Sequence, residues 1–315
     1  MGHFANNPES SDLTVLGSPR NGTKASVAVF MSGSGSNAER VLELSREPGV
    51  SFAVTVLVTD RPKTSNTAVL AERFGVPMVA LDIREFYRER GLKRISLASE
   101  AGRRTREAWT AQLLELLKPY AVDFGVFAGF IPLCNVMRVF PCLNVHPGDL
   151  TYQEDGRRVL VGLHTIPIEK AILCGHSSLR SSVILTEPVE GQGDNMDSGF
   201  ILGLSPQVPI DFMGTSLERL REVYNRRPQS RPKNGFDDEL EKIARHNQEK
   251  LKERGDWVVL PYVVENFARG RYATDSQGNL YFRVDGQWQA VKTVEFDEYG
   301  NTTPVPVDFS HSGDC

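Results

Sequence analysis

Apolar runs of strand length alternate with segments of helical spacing along residues 26–204. The runs predict strands at residues 26–31, 52–58, 77–81, 124–130, 142–146, 182–186 and 199–204. The spacing of apolar residues between them predicts helices at residues 38–44, 67–74 and 105–117. Strands that alternate with helices form βαβ units. We therefore predict an α/β fold with an open, mostly parallel, Rossmann-like sheet and helices on both faces.

A different pattern begins near residue 211. Helical spacing covers residues 217–224, 237–254 and 257–267, and turn signals at 276–279 and 285–286 then predict a β-hairpin. We expect these elements to be a C-terminal extension that caps the sheet. The predicted organisation is listed in chain order: a polar tail at 1–24, a catalytic domain at 25–210, helices and hairpin packed on the same domain at 211–300, and a tail at 301–315.

Composition narrows the classes of partner. The 315 residues include 36 Lys and Arg against 40 Asp and Glu, a net charge of −4, which offers no broad positive field for nucleic acid or an anionic membrane. We find no apolar run of about 18 residues, and residues 1–24 are polar, so we expect a cytoplasmic protein. The four cysteines form no CxxC pair, and we predict no metal site.

A glycine-rich turn follows the first predicted strand. Gly33, Ser34, Gly35, Ser36 and Asn37 lead directly into a predicted helix, whose first N–H groups can bind phosphate. The turn fits the G-x-G-x-x-A pattern, and Asp60 ends the next strand, so this feature alone indicates an NAD site. A tight turn without a ligand is the alternative. If an anion binds here, we expect Gly35→Val to block its approach.

Polar residues gather where two later strands begin or end. Asn144 and His146 end the strand at 142–146 and project on one side of it, at the edge where open α/β sheets bind ligands. An amide donor beside an imidazole can hold an oxyanion and move a proton in acyl transfer, although such a pair can also merely cap loop backbone. Asp197, in the loop before the strand at 199–204, could orient the imidazole.

Several motifs, taken in order, resemble those of the folate-dependent formyltransferase family, in particular glycinamide ribonucleotide formyltransferases. They are listed here: Ser32–Asn37, Ala128–Phe130, Leu143–Pro147, Gly162–Thr165 and Asp197–Gly199. The resemblance spans roughly residues 26–209 and outweighs the NAD interpretation. It implies the formyltransferase fold, 10-formyltetrahydrofolate as co-substrate, a small amine acceptor that carries phosphate, and a place in purine biosynthesis.

The resemblance also implies roles for individual residues. Asn144, His146 and Asp197 would be catalytic: the first two would stabilise charge on the formyl oxygen, and Asp197 would support His146. The acceptor phosphate would lie on Gly33, Ser34, Gly35, Ser36 and Asn37. Folate would contact Arg106, Ile131, Leu133, Cys134, Asn144 and the loop 190–197. Glu249 would bind the acceptor, and no metal is implied.

Departures from the family pattern leave the acceptor open. Pro132 stands where relatives usually carry arginine, and residues 148–151 differ from the usual family sequence after His-Pro. The stretch 152–159 is longer and more charged than in the family. Residues 84–104 and about 225–245 look like insertions. The alternatives are a hydrolase that passes the formyl group to water, an NAD-binding oxidoreductase, and a non-catalytic folate- or phosphate-binding protein. We expect small-molecule substrates, no nucleic acid and no membrane, and a homodimer remains open.

Overall fold

A twelve-stranded sheet forms the frame of the molecule. The computed structural model describes residues 12–17, 19, 24–163, 165–188, 197–232 and 235–307. Its strands are β1 (Thr14–Leu16), β2 (Ala25–Phe30), β3 (Phe52–Thr59), β4 (Met78–Ala80), β5 (Phe124–Phe127), β6 (Cys142–His146), β7 (Gln153–Glu154), β8 (Arg157–Arg158), β9 (Ser178–Leu179), β10 (Ser182–Leu185), β11 (Ile201–Leu204), β12 (Val208–Pro209), β13 (Tyr272–Thr274), β14 (Leu280–Val284), β15 (Gln287–Phe296) and β16 (Thr302–Pro306). Two pairs, β7 with β8 and β9 with β12, lie outside the main sheet.

Eight α-helices connect or cover the strands in the described part of the chain. They are α1 (Ser36–Leu44), α2 (Thr67–Phe74), α3 (Ile83–Glu89), α4 (Glu100–Leu117), α5 (Ile166–Leu173), α6 (Leu217–Asn225), α7 (Glu239–Leu251) and α8 (Trp257–Ala268). A π-helical turn at Lys252–Asp256 joins α7 directly to α8. None of the helices in the described ranges is long and apolar enough to cross a membrane.

The order of the strands explains why one edge of the sheet collects polar residues. The main path is β1-β13-β14-β15-β11-β10-β6-β5-β2-β3-β4, and β16 pairs with β15. Strands β4, β3, β2, β5 and β6 are parallel, so their carboxyl ends meet at one edge. Strand β10 runs antiparallel to β6, with Ser182 opposite His146. The predicted open α/β sheet with a largely parallel core and a C-terminal extension is confirmed.

Each face of the sheet carries its own apolar layer. Val27 and Val29 of β2 pack on one face with helices α1 and α8, whereas Ala28 and Phe30 pack on the other with α3 and α4. This alternation is the period of two that a β-strand imposes on its side chains. The apolar helix α8 fits a buried position, and Trp109 of α4 is fully buried in the opposite layer. Helices therefore cover both faces and leave the edges open.

Both predicted tails contribute strands to the sheet, which corrects those assignments. Residues 14–16 form β1, which pairs with β13, and residues 302–306 form β16, which pairs with β15. The predicted hairpin likewise extends the sheet beyond β11 and does not merely cap it. Exposed strand edges offer unpaired N–H and C=O groups, and short polar segments can pair with them without an apolar signature. That is why the apolar pattern missed these strands.

The two segments interpreted as insertions contain helices or lead into them. Residues 84–104 include most of α3, whose Phe86 and Tyr87 are buried, and the start of α4. Asp82 caps α3 by accepting hydrogen bonds from two amides, so the start of the segment packs on the sheet, whereas residues 88–100 are mostly exposed. Within residues 225–245, the described part leads into α7, which begins at Glu239.

Buried charges attach this second segment to α5 and α7. Arg227, whose side chain is 7% exposed, forms ion pairs with Glu169 of α5 and with Asp238, where its Nε lies 2.6 Å from Oδ2. Burial raises the pKa of Asp238, but the hydrogen bonds from Arg227 outweigh it and hold the pKa below its ordinary value. Charges this deeply buried are stable only when paired.

Replacing Arg227 tests this anchor. We expect Arg227→Ala to lower the free energy of unfolding at pH 7 by about 3 kcal/mol, because two carboxylates lose their buried cation. Since the folded pKa of Asp238 lies below its unfolded value, this contribution is present above pH 3.8 and is lost as the pH falls below it. Urea unfolding of the parent and the variant, at pH 7 and at a pH below 3.8, measures the difference.

The matched control is Arg226→Ala, which removes the neighbouring side chain that is 72% exposed. It should cost less than about 0.5 kcal/mol. Equal losses in the two variants would show that the buried pairs add nothing to the stability of this segment.

Candidate active site

His146 lies at the carboxyl end of β6 with its ring held between two oxygen atoms. Its side chain is 4% exposed, Nε2 lies 2.7 Å from the backbone oxygen of Leu160, and Nδ1 lies 3.4 Å from Oδ2 of Asp197. A carbonyl oxygen can only accept a hydrogen bond, so Nε2 carries a hydrogen and donates it to Leu160. Nδ1 is therefore the ring atom that faces the carboxylate of Asp197.

Asn144 stands two residues before His146 and so projects from the same side of β6. It pairs with Phe127 of β5 and with Ile184 of β10, and it is half-buried. An amide at this point has two N–H donors to direct at a ligand oxygen beside His146. The structure thus groups Asn144, His146 and Asp197 at the carboxyl edge of the sheet.

The glycine-rich turn lies at the same edge, between β2 and α1. The hydroxyl of Ser32 donates to Oδ1 of Asp60 at 2.5 Å and accepts from the amide of Ile131 at 3.0 Å, which ties the turn to the segment after β5. Asp60 is fully buried, and burial raises its pKa, with the Ser32 bond and Arg61 opposing. A buried carboxyl bonded to Ser32 cannot hold a ribose, so the NAD interpretation loses its acidic residue.

The first turn of α1 presents amides to this edge. The amide of Glu39 bonds to the oxygen of Gly35, the helix N-cap, so the amides of residues 36–38 precede the helical ladder. Asn66 steadies the turn by donating to the oxygens of Gly33 and Ser34. Amides at a helix start attract an anion, and the phosphate site at this turn stays a prediction.

The two glycines of the turn have different roles, which corrects the expected effect of Gly35→Val. Gly35 has φ +78°, and a Cβ there would lie 2.4 Å from Cε of Met31 and 2.7 Å from Cδ1 of Leu70. A larger residue would therefore collide with the core. A Cβ on Gly33 would meet nothing within 4 Å. Gly33 is the position at which a side chain can obstruct a ligand without disturbing the fold.

Asp256 joins this group, although the sequence analysis did not select it. It ends the π-helical turn, and its carboxylate accepts from Ser181 Oγ at 2.5 Å and from Asn37 Nδ2 at 3.0 Å. Burial raises the pKa of Asp256, while Ser181, Asn37 and the nearby His146 oppose that rise. The preceding Gly255 allows this approach, since a Cβ there would lie 2.9 Å from Ser181 Oγ.

Glu249, the predicted acceptor-binding residue, has a different environment. Its side chain is 65% exposed and pairs with Lys252 one turn later along the chain. An exposed carboxylate with a local partner is poorly suited to hold a buried amine. Asp256, which is 8% exposed, has the buried environment that Glu249 lacks, but nothing in its local sequence marks a π-helical turn.

The predicted folate residues divide into buried and open positions. Arg106 of α4 is 6% exposed and donates to the backbone oxygen of Leu133, and its Nε finds no hydrogen-bond partner among the described residues. Cys134 is 2% exposed, and burial raises its pKa to about 12, so it packs in the core as a thiol. Ile131 is 45% exposed and open to a ligand. His164 and residues 190–196, in the predicted motifs and folate loop, lie outside the described residues.

A family model covers part of the chain that forms this site. The family model described as formyl transferase matches residues 25–151, which include the glycine turn, β6 and His146. Over these residues the chain is similar to formyl transferases.

Two chloroplastic enzymes are distantly similar to this chain. It is 27% identical to the chloroplastic phosphoribosylglycinamide formyltransferase of Arabidopsis thaliana, over 78% of this chain and 73% of that protein. Its identity to the enzyme of the same name from Vigna unguiculata is 26%, over 63% of this chain and 56% of that protein. The similarity is too low to carry the acceptor over to this chain.

Solved structures share the fold. The phosphoribosylglycinamide formyltransferase of Anaplasma phagocytophilum superposes with a TM-score of 0.55 at 15% identity, covering 87% of this chain and 99% of that one. Glycinamide ribonucleotide transformylase 1 of Symbiobacterium toebii gives 0.50 at 22% identity, covering 80% and 92%. Within the described ranges, no three His, Cys, Asp or Glu side chains are arranged to hold a metal ion.

The turn gives a paired test on folding. We expect Gly35→Ala to lower the free energy of unfolding by about 1–3 kcal/mol, because the new Cβ requires a left-handed backbone and overlaps Met31 and Leu70. Gly33→Ala should leave stability within about 0.5 kcal/mol of the parent. Denaturant unfolding of both variants measures the difference. Equal stabilities would mean that the turn is not packed as described.

Proposed function

We propose that this protein transfers a formyl group from 10-formyltetrahydrofolate to the amine of a small phosphorylated acceptor. The observation that carries the proposal is the position of His146, held between the Leu160 carbonyl and Asp197 with Asn144 on the same side of β6. Members of the formyl transferase family typically use this folate as donor.

The geometry suggests how the reaction proceeds. The acceptor amine attacks the formyl carbon, and negative charge develops on the formyl oxygen. The amide of Asn144 and the positive charge of a protonated His146 ring stabilise that charge, and Asp197 stabilises the charged imidazole. As the tetrahedral centre collapses, the C–N10 bond breaks and N10 of the folate takes up a proton, which His146 is placed to relay from the amine.

Asp256 and Asn37 provide a site for the acceptor amine. The buried Oδ1 of Asn37 finds no hydrogen-bond donor among the described residues, although Nδ2 of the same side chain bonds Asp256. A buried acceptor atom next to a carboxylate calls for an N–H group, and an amine supplies one. The proposal therefore puts the acceptor between Asp256 and His146.

The amides of the 33–37 turn support a phosphate on the same acceptor. Asn37, which bonds Asp256, is the last residue of this turn, so a molecule with an amine at Asp256 could reach these amides with its other end. The chain has a net charge of −4, which makes a helix terminus and backbone amides the natural anion site. The names of the distant relatives favour a phosphoribosylglycinamide-like acceptor, and with it a role in purine biosynthesis.

Substituting the catalytic residues tests the mechanism. His146→Ala and Asn144→Ala should each lower kcat for formyl transfer by on the order of a hundredfold, because each removes a donor to the developing oxyanion. Folate affinity, measured by fluorescence titration, should change little. Losses of affinity as large as the losses of kcat would identify the two as ordinary binding residues and contradict the proposed roles.

Substituting Asp256 tests the acceptor site. Asp256→Asn should raise the acceptor KM about tenfold or more, since the neutral amide cannot pair with an amine and competes with Asn37 for donors. The KM for folate should stay near its parent value. The control is Glu249→Gln, which changes an exposed carboxylate and should alter neither constant. An unchanged acceptor KM in folded Asp256→Asn would remove Asp256 from the acceptor site.

A further inference from the structure

A small hairpin, formed by β7 and β8, lies beside the catalytic group. It spans Gln153 to Arg158 and turns at Asp155 and Gly156, which have φ of +48° and +71°. Positive φ at both central residues is the signature of a type I′ turn, whose twist matches that of the strands it joins. Because Arg158 follows Gly156 by two residues in this hairpin, the turn fixes the position of its backbone.

Arg158 uses both ends of its guanidinium on the segment that carries Asp197. Nη1 donates to the backbone oxygen of Asp197, and Nη2 donates to that of Gly199 at 2.7 Å. A planar fork that spans two carbonyls fixes a backbone better than a single donor does. Because the fork takes backbone oxygens, the carboxylate of Asp197 remains directed at His146.

The chain just after β8 supplies the other partner of His146. Leu160, two residues after Arg158, supplies the oxygen that accepts from Nε2. Residues 158–160 therefore contact both the imidazole of His146 and the segment that carries Asp197. We propose that Arg158 is a positioning residue, which keeps Asp197 within reach of His146 during the formyl transfer proposed above.

Two features of the site make such a residue necessary. The distance of 3.4 Å between Nδ1 of His146 and Oδ2 of Asp197 is at the long limit of a hydrogen bond, so a shift of a few tenths of an ångström abolishes the contact. Gly199 packs so closely on β10 that a Cβ would lie 1.7 Å from the oxygen of Leu185. The segment is thus fixed at Gly199, and Arg158 extends that restraint to Asp197.

Kinetics of three variants test the inference. Arg158→Ala should lower kcat by about 10- to 100-fold while the KM values for folate and acceptor change little, because substrate contacts remain and only the orientation of Asp197 is lost. Arg158→Lys keeps the charge but reaches one carbonyl at a time, and should fall between the parent and Arg158→Ala. Arg157→Ala removes the exposed neighbour on the same hairpin and should match the parent. A parent-like kcat in Arg158→Ala would overturn the inference.

A spectroscopic measurement separates this inference from the proposed function. In the ¹⁵N NMR spectrum of the histidine rings, Arg158→Ala should change the Nδ1 signal of His146 in the same direction as Asp197→Asn does, and Arg157→Ala should leave it unchanged. The readout needs no substrate, so it holds even if formyl transfer fails. An unchanged Nδ1 signal in Arg158→Ala, with thermal unfolding showing a folded protein, would mean that Asp197 keeps its place without Arg158.

Discussion

The ring of His146 is held by two oxygens that come from different parts of the chain. Leu160 supplies a carbonyl from the segment after the β7–β8 hairpin, and Asp197 supplies a carboxylate from the segment before β11. An imidazole with an acceptor at each nitrogen can carry a proton on both, which suits it to stabilise negative charge on a neighbouring oxygen. The proposed chemistry therefore depends on three segments that meet where β6 ends.

The sheet brings the remaining groups to the same edge. Parallel strands place the glycine turn and His146 at one end of the sheet, and the antiparallel β10 brings Ser181 alongside. The π-helical turn between α7 and α8 places the carboxylate of Asp256 within hydrogen-bond distance of Ser181 and Asn37. π-helical turns often occur at functional sites, and here the turn gives Asp256 a direction that a regular helix would not.

Local sequence predicted the parts of this structure that depend on local physics. The strand at 142–146 and the helix at 67–74 have the predicted bounds because their apolar patterns match a strand and a helix. Asp256 and Arg158 were missed, since the importance of each comes from partners far away in sequence. The edge strands at 14–16 and 302–306 were missed because backbone pairing needs no apolar side chains.

The central claim is that the site passes a formyl group to an amine. It is tested most directly by incubating the protein with 10-formyltetrahydrofolate carrying ¹³C in the formyl group, together with phosphorylated and unphosphorylated amines, and following the label by NMR. The account predicts that the label appears as a formamide carbon of a phosphorylated amine, faster than without enzyme. Label that appears only as formate, or that stays on the folate with every acceptor, would contradict it.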